Sequence, residues 1–345
     1  MALLKRCYKI LWIKKMWGPS KPRCRSLICA AVLHMICYTQ YGFTISIIEH
    51  IEELQENSAW FTGPLLAPAA SVTPLGHFNI QPYYFYTVVN GSYDKHWNTQ
   101  SLSHFHNNTL QVVLQGPVIK NIGFITSPQI IWNTSHGHSG FGFGDLPIAL
   151  ALQLRPPAIN SWKPSLKLAV GASIPFGKFQ DLDPNQYNTD ACGWGSWFPT
   201  ISCVTSYSIH MGQSIHFLNI RIATSYITGT RTRIKGINSY GGDTATRGWV
   251  YPGNTFKIDT SLEFNLSQNW AVAMDTLYSH NNKTRFSGKT TASMSRPSGE
   301  QFSLAPALEY NFNKNIGLIG GVWFTIAGRN AAQFTSGALS LNMYY

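Results

Sequence analysis

The chain has 345 residues, enough for one large or two medium domains, yet only 12% of them are charged, about half the share usual in soluble globular proteins. Its net charge of +11 resembles that of a nucleic-acid-binding protein, but eight of the 26 Lys and Arg residues, and no acidic residue, precede residue 26. The rest of the chain carries 18 basic against 15 acidic residues, so we predict no nucleic-acid partner.

Residues 1–42 are predicted to be a secretion signal peptide. Their basic segment precedes an apolar run from Leu27 to Tyr38, which suits a signal core and is too short to span a bilayer easily. Met16 is an alternative start, because the basic residues after it and the apolar run already form a complete signal. Such a signal indicates export into the envelope of a Gram-negative bacterium.

Residues 43–75 are predicted to be a periplasmic N-terminal segment or a plug of the barrel that follows. Apolar residues at helical spacing predict a short helix within 45–56. Residues 58–70 are rich in Pro and small side chains, which is typical of an ordered strap or plug-like segment.

From about residue 76, apolar and polar side chains alternate in short segments separated by turn-forming residues, which favours a transmembrane β-barrel. No run of about 18 apolar residues follows the first 40 positions, so helical membrane spans are not expected. Since about 9 to 11 tilted residues cross a bilayer, we predict twelve strands, at about 76–89, 108–118, 121–133, 143–155, 164–175, 200–211, 214–227, 254–265, 269–279, 301–312, 316–327 and 332–345.

The fold class is therefore all-β: a transmembrane antiparallel up-and-down β-barrel over residues 76–345. A soluble β-sandwich also alternates in this way, but the regular strand length and the signal peptide favour the barrel. The short predicted connections between strands fit periplasmic turns. The long connections fit outer loops and lie near 90–107, 176–196, 228–252 and 280–300. The predicted location is the bacterial outer membrane, with its lipids as partners.

The last strand carries a predicted assembly signal. Leu339, Leu341, Met343 and Tyr345 alternate with small or polar residues, and the strand closes on an aromatic side chain. We predict that Leu341, Met343 and Tyr345 are recognised by the barrel assembly machinery.

Charged side chains within the strands have the opposite parity from the apolar set. A charge facing lipid at mid-membrane costs about 2 to 4 kcal/mol for Arg or Lys, so these side chains should face the lumen. They either line an aqueous lumen or pair with one another and close it, and their mixed signs argue against strong ion selectivity. The set is Asp145, Lys167, Arg221, Lys257, Asp259, Glu263, Asp275 and Glu309.

Two cysteines, Cys192 and Cys203, lie beyond the signal and could form a disulfide inside one outer loop, which export permits. No metal site and no cofactor are predicted. The histidines in the predicted loops are interpreted as polar loop residues: His104, His106, His136 and His138.

Two glycine-led motifs carry a family resemblance. The run Gly140-Phe-Gly-Phe-Gly-Asp145 is no dinucleotide loop, because the alternation from Leu146 predicts a strand where that loop needs a helix. Together with Leu168–Lys178, it resembles the Gly-x-Gly-Asp strand and the Gly-x-x-x-Pro-x-Gly strand end of the MetA-pathway phenol-degradation family, although Phe176 departs from the small polar residue expected there. The resemblance covers roughly residues 70–345 and implies an outer-membrane transporter-like barrel.

The resemblance implies a channel or transporter for small solutes, with aromatic or hydrophobic compounds as candidates. One alternative is a structural or adhesive barrel whose long outer loops bind a partner. Another is an outer-membrane lipid hydrolase, which needs Ser and His together on the outer rim. His216 with Ser214 is a candidate pair, but no motif marks it, and we predict that the protein is not an enzyme.

Overall fold

The computed structural model describes residues 60–211, 216–292 and 294–345. The predicted signal peptide and the predicted helix within 45–56 lie outside these residues. No helix of the described part has the length and apolar character needed to cross a membrane.

Antiparallel strands dominate the structure, and fourteen of them form one sheet that closes on itself, because β1 pairs with both β17 and β2. The strands of this sheet are β1 Asn79–Tyr93, β2 Thr99–Ile119, β3 Ile122–Thr126, β4 Gln129–Ser135, β5 His138–Phe143, β6 Leu146–Arg155, β7 Ser165–Ile174, β8 Phe198–His210, β9 Phe217–Ile227, β12 Thr255–Asn265, β13 Trp270–Asn281, β15 Gly299–Asn313, β16 Ile316–Arg329 and β17 Ala331–Tyr344.

Four of these fourteen segments are halves of two barrel strands. β3 and β4 form one strand interrupted at 127–128, and β5 and β6 form another interrupted at 144–145. β3 pairs with β6, β4 pairs with β5, and β2 pairs with both β3 and β4. The barrel therefore has twelve strands, as the sequence predicts.

The predicted strand positions are confirmed, but β2 begins well before the predicted start near residue 108, and β5 begins before the predicted start near residue 143. Its outer part, from Thr99 to Ser103, is exposed on both faces and polar except at Leu102. Alternation between apolar and polar residues arises only where lipid covers one face, so the extension beyond the membrane leaves no such signal.

The outward face of the barrel is an apolar belt between two levels of aromatic residues. Leu150, Val170 and Leu339 are 57%, 63% and 50% exposed, as lipid-facing side chains are in a structure without lipid. The aromatic residues that are exposed at the two levels are Tyr86, Trp132, Phe141 and Tyr226 near the outer end, and Phe78, Trp270, Phe312 and Tyr345 near the periplasmic end. This belt places the barrel in the bacterial outer membrane.

Three further strands form a separate small sheet in the outer loops: β10 Thr232–Lys235, β11 Arg247–Tyr251 and β14 Arg285–Lys289. The sheet has its own core, in which Ile234, Tyr240, Val250 and Met294 are buried and Phe179 packs against them. We call this sheet and its core the outer cap. The long loops predicted near 228–252 and 280–300 thus contain folded structure.

The predicted disulfide is absent, because Cys192 and Cys203 are both free thiols. Cys203 lies in β8, in the wall and not in a loop, with the same strand parity as the exposed Ile201. Cys192 is buried in the outer loop, where its Sγ approaches Gly142. Burial raises the pKa of the Cys192 thiol, which further lowers its reactivity.

Candidate functional site

Residues 60–72, which we call the strap, run along the inner wall of the barrel ahead of β1. Leu65 is its anchor: the side chain is 1% exposed and packs against Ala305, Ile319 and Ala338 of the inner wall. Small wall residues at two of these three positions leave the space that the leucine fills. The strap belongs to residues 43–75, and the assignment of those residues as a periplasmic N-terminal segment or a plug stays a prediction.

Two of the predicted lumen carboxylates bind the strap backbone. The N–H of Thr62 donates to Glu309 Oε2 at 2.8 Å. The N–H groups of Leu66 and Ala67 donate to the two carboxylate oxygens of Asp275 at 3.2 and 3.3 Å. Both carboxylates are fully buried, and these bonds provide partners that a buried charge needs.

Two of the predicted lumen cations bind the same segment through its carbonyl groups. Lys167 donates to the carbonyl of Ala69. Arg221 donates to the carbonyl of Ala67 at 3.2 Å and also pairs with Glu263 Oε2 at 3.2 Å. Carboxylates of the wall thus accept from N–H groups of the strap, and cationic side chains of the wall donate to its carbonyl groups.

Uncharged side chains that the sequence analysis did not single out complete the attachment. Gln153 accepts from the N–H of Val72 at 2.6 Å and donates to the carbonyl of Ala70 at 3.2 Å. Asn311 donates to the carbonyl of Trp60 at 3.0 Å. Their inward parity was the available signal, but a neutral amide facing a lumen does not by itself indicate a partner.

The lumen contains two cavities, which we call the outer chamber and the inner chamber. The outer chamber has a volume of about 810 Å³ and lies beneath the outer cap. The inner chamber, of about 560 Å³, lies between the strap and the wall formed by β1, β2 and β3. Four residues line both chambers and define what we call the junction: Ile125, Ser127, Ser202 and Lys257.

The predicted lumen residues differ in their access to these chambers. Lys257 and Asp259 line the inner chamber, as do the strap-binding cations Lys167 and Arg221. Glu263 is 1% exposed and forms an ion pair with Arg221. The separate contacts of these side chains depend on where the strap runs, which the strand pattern does not show.

Asp145 has a different role, since it joins the two motifs that carry the family resemblance. Its carboxylate accepts the N–H of Gly177 at 3.0 Å and the N–H of Trp194 at 2.8 Å. An added Cβ at Gly193 would lie 2.5 Å from Asp145 Oδ1, and one at Gly177 would lie 2.5 Å from the carbonyl oxygen of Cys192. The glycines therefore permit the close approach of the outer loop to Asp145.

This attachment places aromatic side chains on the wall of the outer chamber. Trp194, Phe198 and Tyr240 line the cavity, and the rings of Trp194 and Tyr240 lie 5.5 Å apart. The hydroxyl groups of Tyr240 and Ser196 are 2.9 Å apart. Burial raises the pKa of Tyr240 to about 12, so its phenol stays neutral at neutral pH.

The lipid-hydrolase candidate lies at the wrong end of the barrel. His216 precedes β9 at the periplasmic end, where its ring stacks on Phe264 at 5.6 Å and its Nδ1 lies 3.1 Å from the carbonyl oxygen of Asn265. A hydrolase acting on outer-leaflet lipid needs its residues at the outer rim. Ser214 lies outside the described residues.

No family model matches the chain, and no curated protein matches it either. Among solved structures, the chain is similar to the COG4313 outer membrane channel from Pseudomonas putida F1, with a TM-score of 0.63 and 13% identity, covering 81% of this chain and 100% of that one. The chain therefore has the fold of an outer-membrane β-barrel. The MetA-pathway family resemblance stays a prediction.

Two other solved barrels are less similar. The translocator domain of autotransporter NalP from Neisseria meningitidis has a TM-score of 0.40 at 7% identity, covering 88% of this chain and 97% of that one. The toluene transporter TodX from P. putida has a TM-score of 0.34 at 9% identity, covering 84% of this chain and 95% of that one. At these TM-scores, neither likeness carries an argument about this chain.

Proposed function

We propose that this protein is an outer-membrane channel for small solutes, with aromatic or hydrophobic compounds among them, and that it is not an enzyme. The observation that carries the proposal is the pair of lumen cavities that meet at the junction. A barrel whose lumen serves only as packing would fill this space with side chains. Here the wall beside the chambers carries small residues, including Ala149, Ala169 and Gly171.

The position of the strap agrees with a channel whose width the strap limits. It is bound along the wall from β15 through β13, β9 and β7 to β6, so it fills one side of the lumen. The inner chamber runs along the other side, past Gln81, Gln111 and Gln115. A small solute would pass between these amides and the strap.

Planar-bilayer recording with the full-length purified protein tests this proposal. We expect discrete conductance steps, and transient current blocks when a small aromatic solute is added on the outer side. Insertion of correctly folded barrel without conductance would contradict the channel. Hydrolysis of an ester-linked lipid by the same preparation would favour the enzyme alternative.

A further inference from the structure

The charges that reach the two chambers are mostly positive. Lys257 and Arg296 line the outer chamber, and no carboxylate is among the described residues that line it. Lys167, Arg221 and Lys257 line the inner chamber, where Asp259 is the one carboxylate of the described lining. Lys167 is itself 2% exposed and Arg221 pairs with Glu263, so the excess of positive charge lies in the outer chamber, at Lys257 and Arg296.

The other lumen carboxylates are turned away from the chambers. Asp275 and Glu309 are 0% exposed and bind the strap backbone. Glu263 is 1% exposed and pairs with Arg221, and Asp145 is 5% exposed and accepts two backbone N–H groups. Counting charges along the strands consequently overstates the negative charge that a solute meets.

Arg296 lies beside the aromatic wall of the outer chamber. Its guanidinium carbon is 5.9 Å from the centre of the Trp194 ring, and its Nη2 donates to the carbonyl of Ser239 at 3.1 Å. These two contacts hold the planar group at the cavity wall. Arginine has five N–H donors, so others remain for a ligand carboxylate.

Lys257 provides a second cation at the junction. Its side chain is exposed to the lumen and makes no ion pair or hydrogen bond with any residue of the described part of the chain. An anion that leaves Arg296 toward the periplasm meets this ammonium group before it enters the inner chamber.

We propose that the outer chamber is a binding site for small aromatic carboxylates. The ring lies against Trp194 and Tyr240, the carboxylate is bound by Arg296, and Lys257 receives the anion at the junction. The volume of about 810 Å³ falls in the range of roughly 300 to 1,000 Å³ that is usual for small-ligand sites. This inference rests on the proposed channel function and names its solute class, and it replaces the expectation of weak charge selectivity.

Isothermal titration of the full-length purified protein with benzoate, and with benzyl alcohol as the uncharged counterpart, tests the site. Arg296→Gln and Lys257→Gln remove the two cations, and heat-modifiable migration verifies that each variant is folded. Lys163→Gln is the matched control, because Lys163 is exposed on a periplasmic loop beside Trp162 and lines neither chamber.

We expect benzoate to bind more tightly than benzyl alcohol, and Arg296→Gln to weaken benzoate by about tenfold or more, as loss of a charge-assisted hydrogen bond does. Lys257→Gln should weaken it less, and Lys163→Gln should leave it unchanged. Equal binding of the two ligands, or cation variants that behave like the control, would overturn the site. The bilayer recording and the titration together separate the two proposals: conductance without preferential benzoate binding overturns the site alone, and preferential benzoate binding without conductance overturns the channel alone.

Discussion

Asp145 is the residue at which sequence pattern and tertiary structure meet. Strand parity predicts that its carboxylate faces inward, and in the structure the residue is 5% exposed. The pattern does not reveal that the partners are backbone N–H groups of Gly177 and Trp194, because these residues follow on a separate outer loop. A backbone donor has no sequence signature, so such a contact can be found only in the folded chain.

Replacing Asp145 with Asn should loosen the outer loop 175–197. A hydrogen bond to a charged group contributes about 1.5 to 3 kcal/mol, and the amide loses the charge and one of two acceptors. Hydrogen exchange of the loop should rise roughly tenfold to a hundredfold. Asp181→Asn is the control, because its pair with Lys235 is more than half exposed on both sides and contributes little. Equal exchange in both variants would contradict the role of Asp145.

Asp243 links two outer loops in a pH-dependent way. The hydroxyl and the N–H of Thr291 both donate to its carboxylate, and these bonds lower its pKa from 3.8 to about 2. Because the folded-state pKa is depressed, the contribution is fully present above the unfolded value near 3.8 and is lost as the pH falls through about 2. Pepsin cleavage within the outer cap should therefore accelerate between pH 4 and pH 2.

Asp243→Asn should accelerate pepsin cleavage already at pH 4 and weaken its dependence on pH. The exposed Asp183→Asn provides a comparison, since among the described residues the Asp183 carboxylate accepts only from the local N–H of Asn185. If Asp243→Asn keeps the wild-type rates across this range, the link between the loops does not stabilise the cap.

At the scale of elements, the barrel strands could be predicted because lipid on one face and lumen on the other enforce a period of two. The outer cap could not be predicted in this way. Its strands β10, β11 and β14 span only four or five residues and lie in water, where no lipid enforces the alternation. The sequence predicts the strap only as an ordered strap or plug-like segment, without its position. Its composition indicates no regular structure, and its position is fixed by side chains that come from five different strands.

Removing the strap should widen the inner chamber. Deletion of residues 60–72, or their replacement by a Gly/Ser linker of equal length, removes Leu65 and with it the packing against Ala305, Ile319 and Ala338. Both variants should show a higher single-channel conductance than the wild-type protein. The linker separates the effect of the anchor from that of chain length, and an unchanged conductance in both variants would show that the strap does not limit the passage.

At the scale of the whole molecule, the apolar belt, the aromatic levels and the loop asymmetry agree on one orientation. The short turns and the start of β1 lie on the periplasmic side, and the cap lies outside. The assembly-signal role of Leu341, Met343 and Tyr345 and the adhesive alternative stay predictions. The route through the lumen was not predictable, because the chambers depend on the strap and the cap together.

The central claim is that solutes pass through the junction between the two chambers. Ser202 lines both chambers, so a thiol introduced there by Ser202→Cys, with Cys192 and Cys203 replaced by Ser, can be labelled with a bulky methanethiosulfonate reagent. Lys163→Cys in the same background is the control outside the lumen. Labelling at position 202 should abolish most of the bilayer conductance while labelling at position 163 leaves it unchanged; full conductance after complete labelling at 202 would contradict the claim.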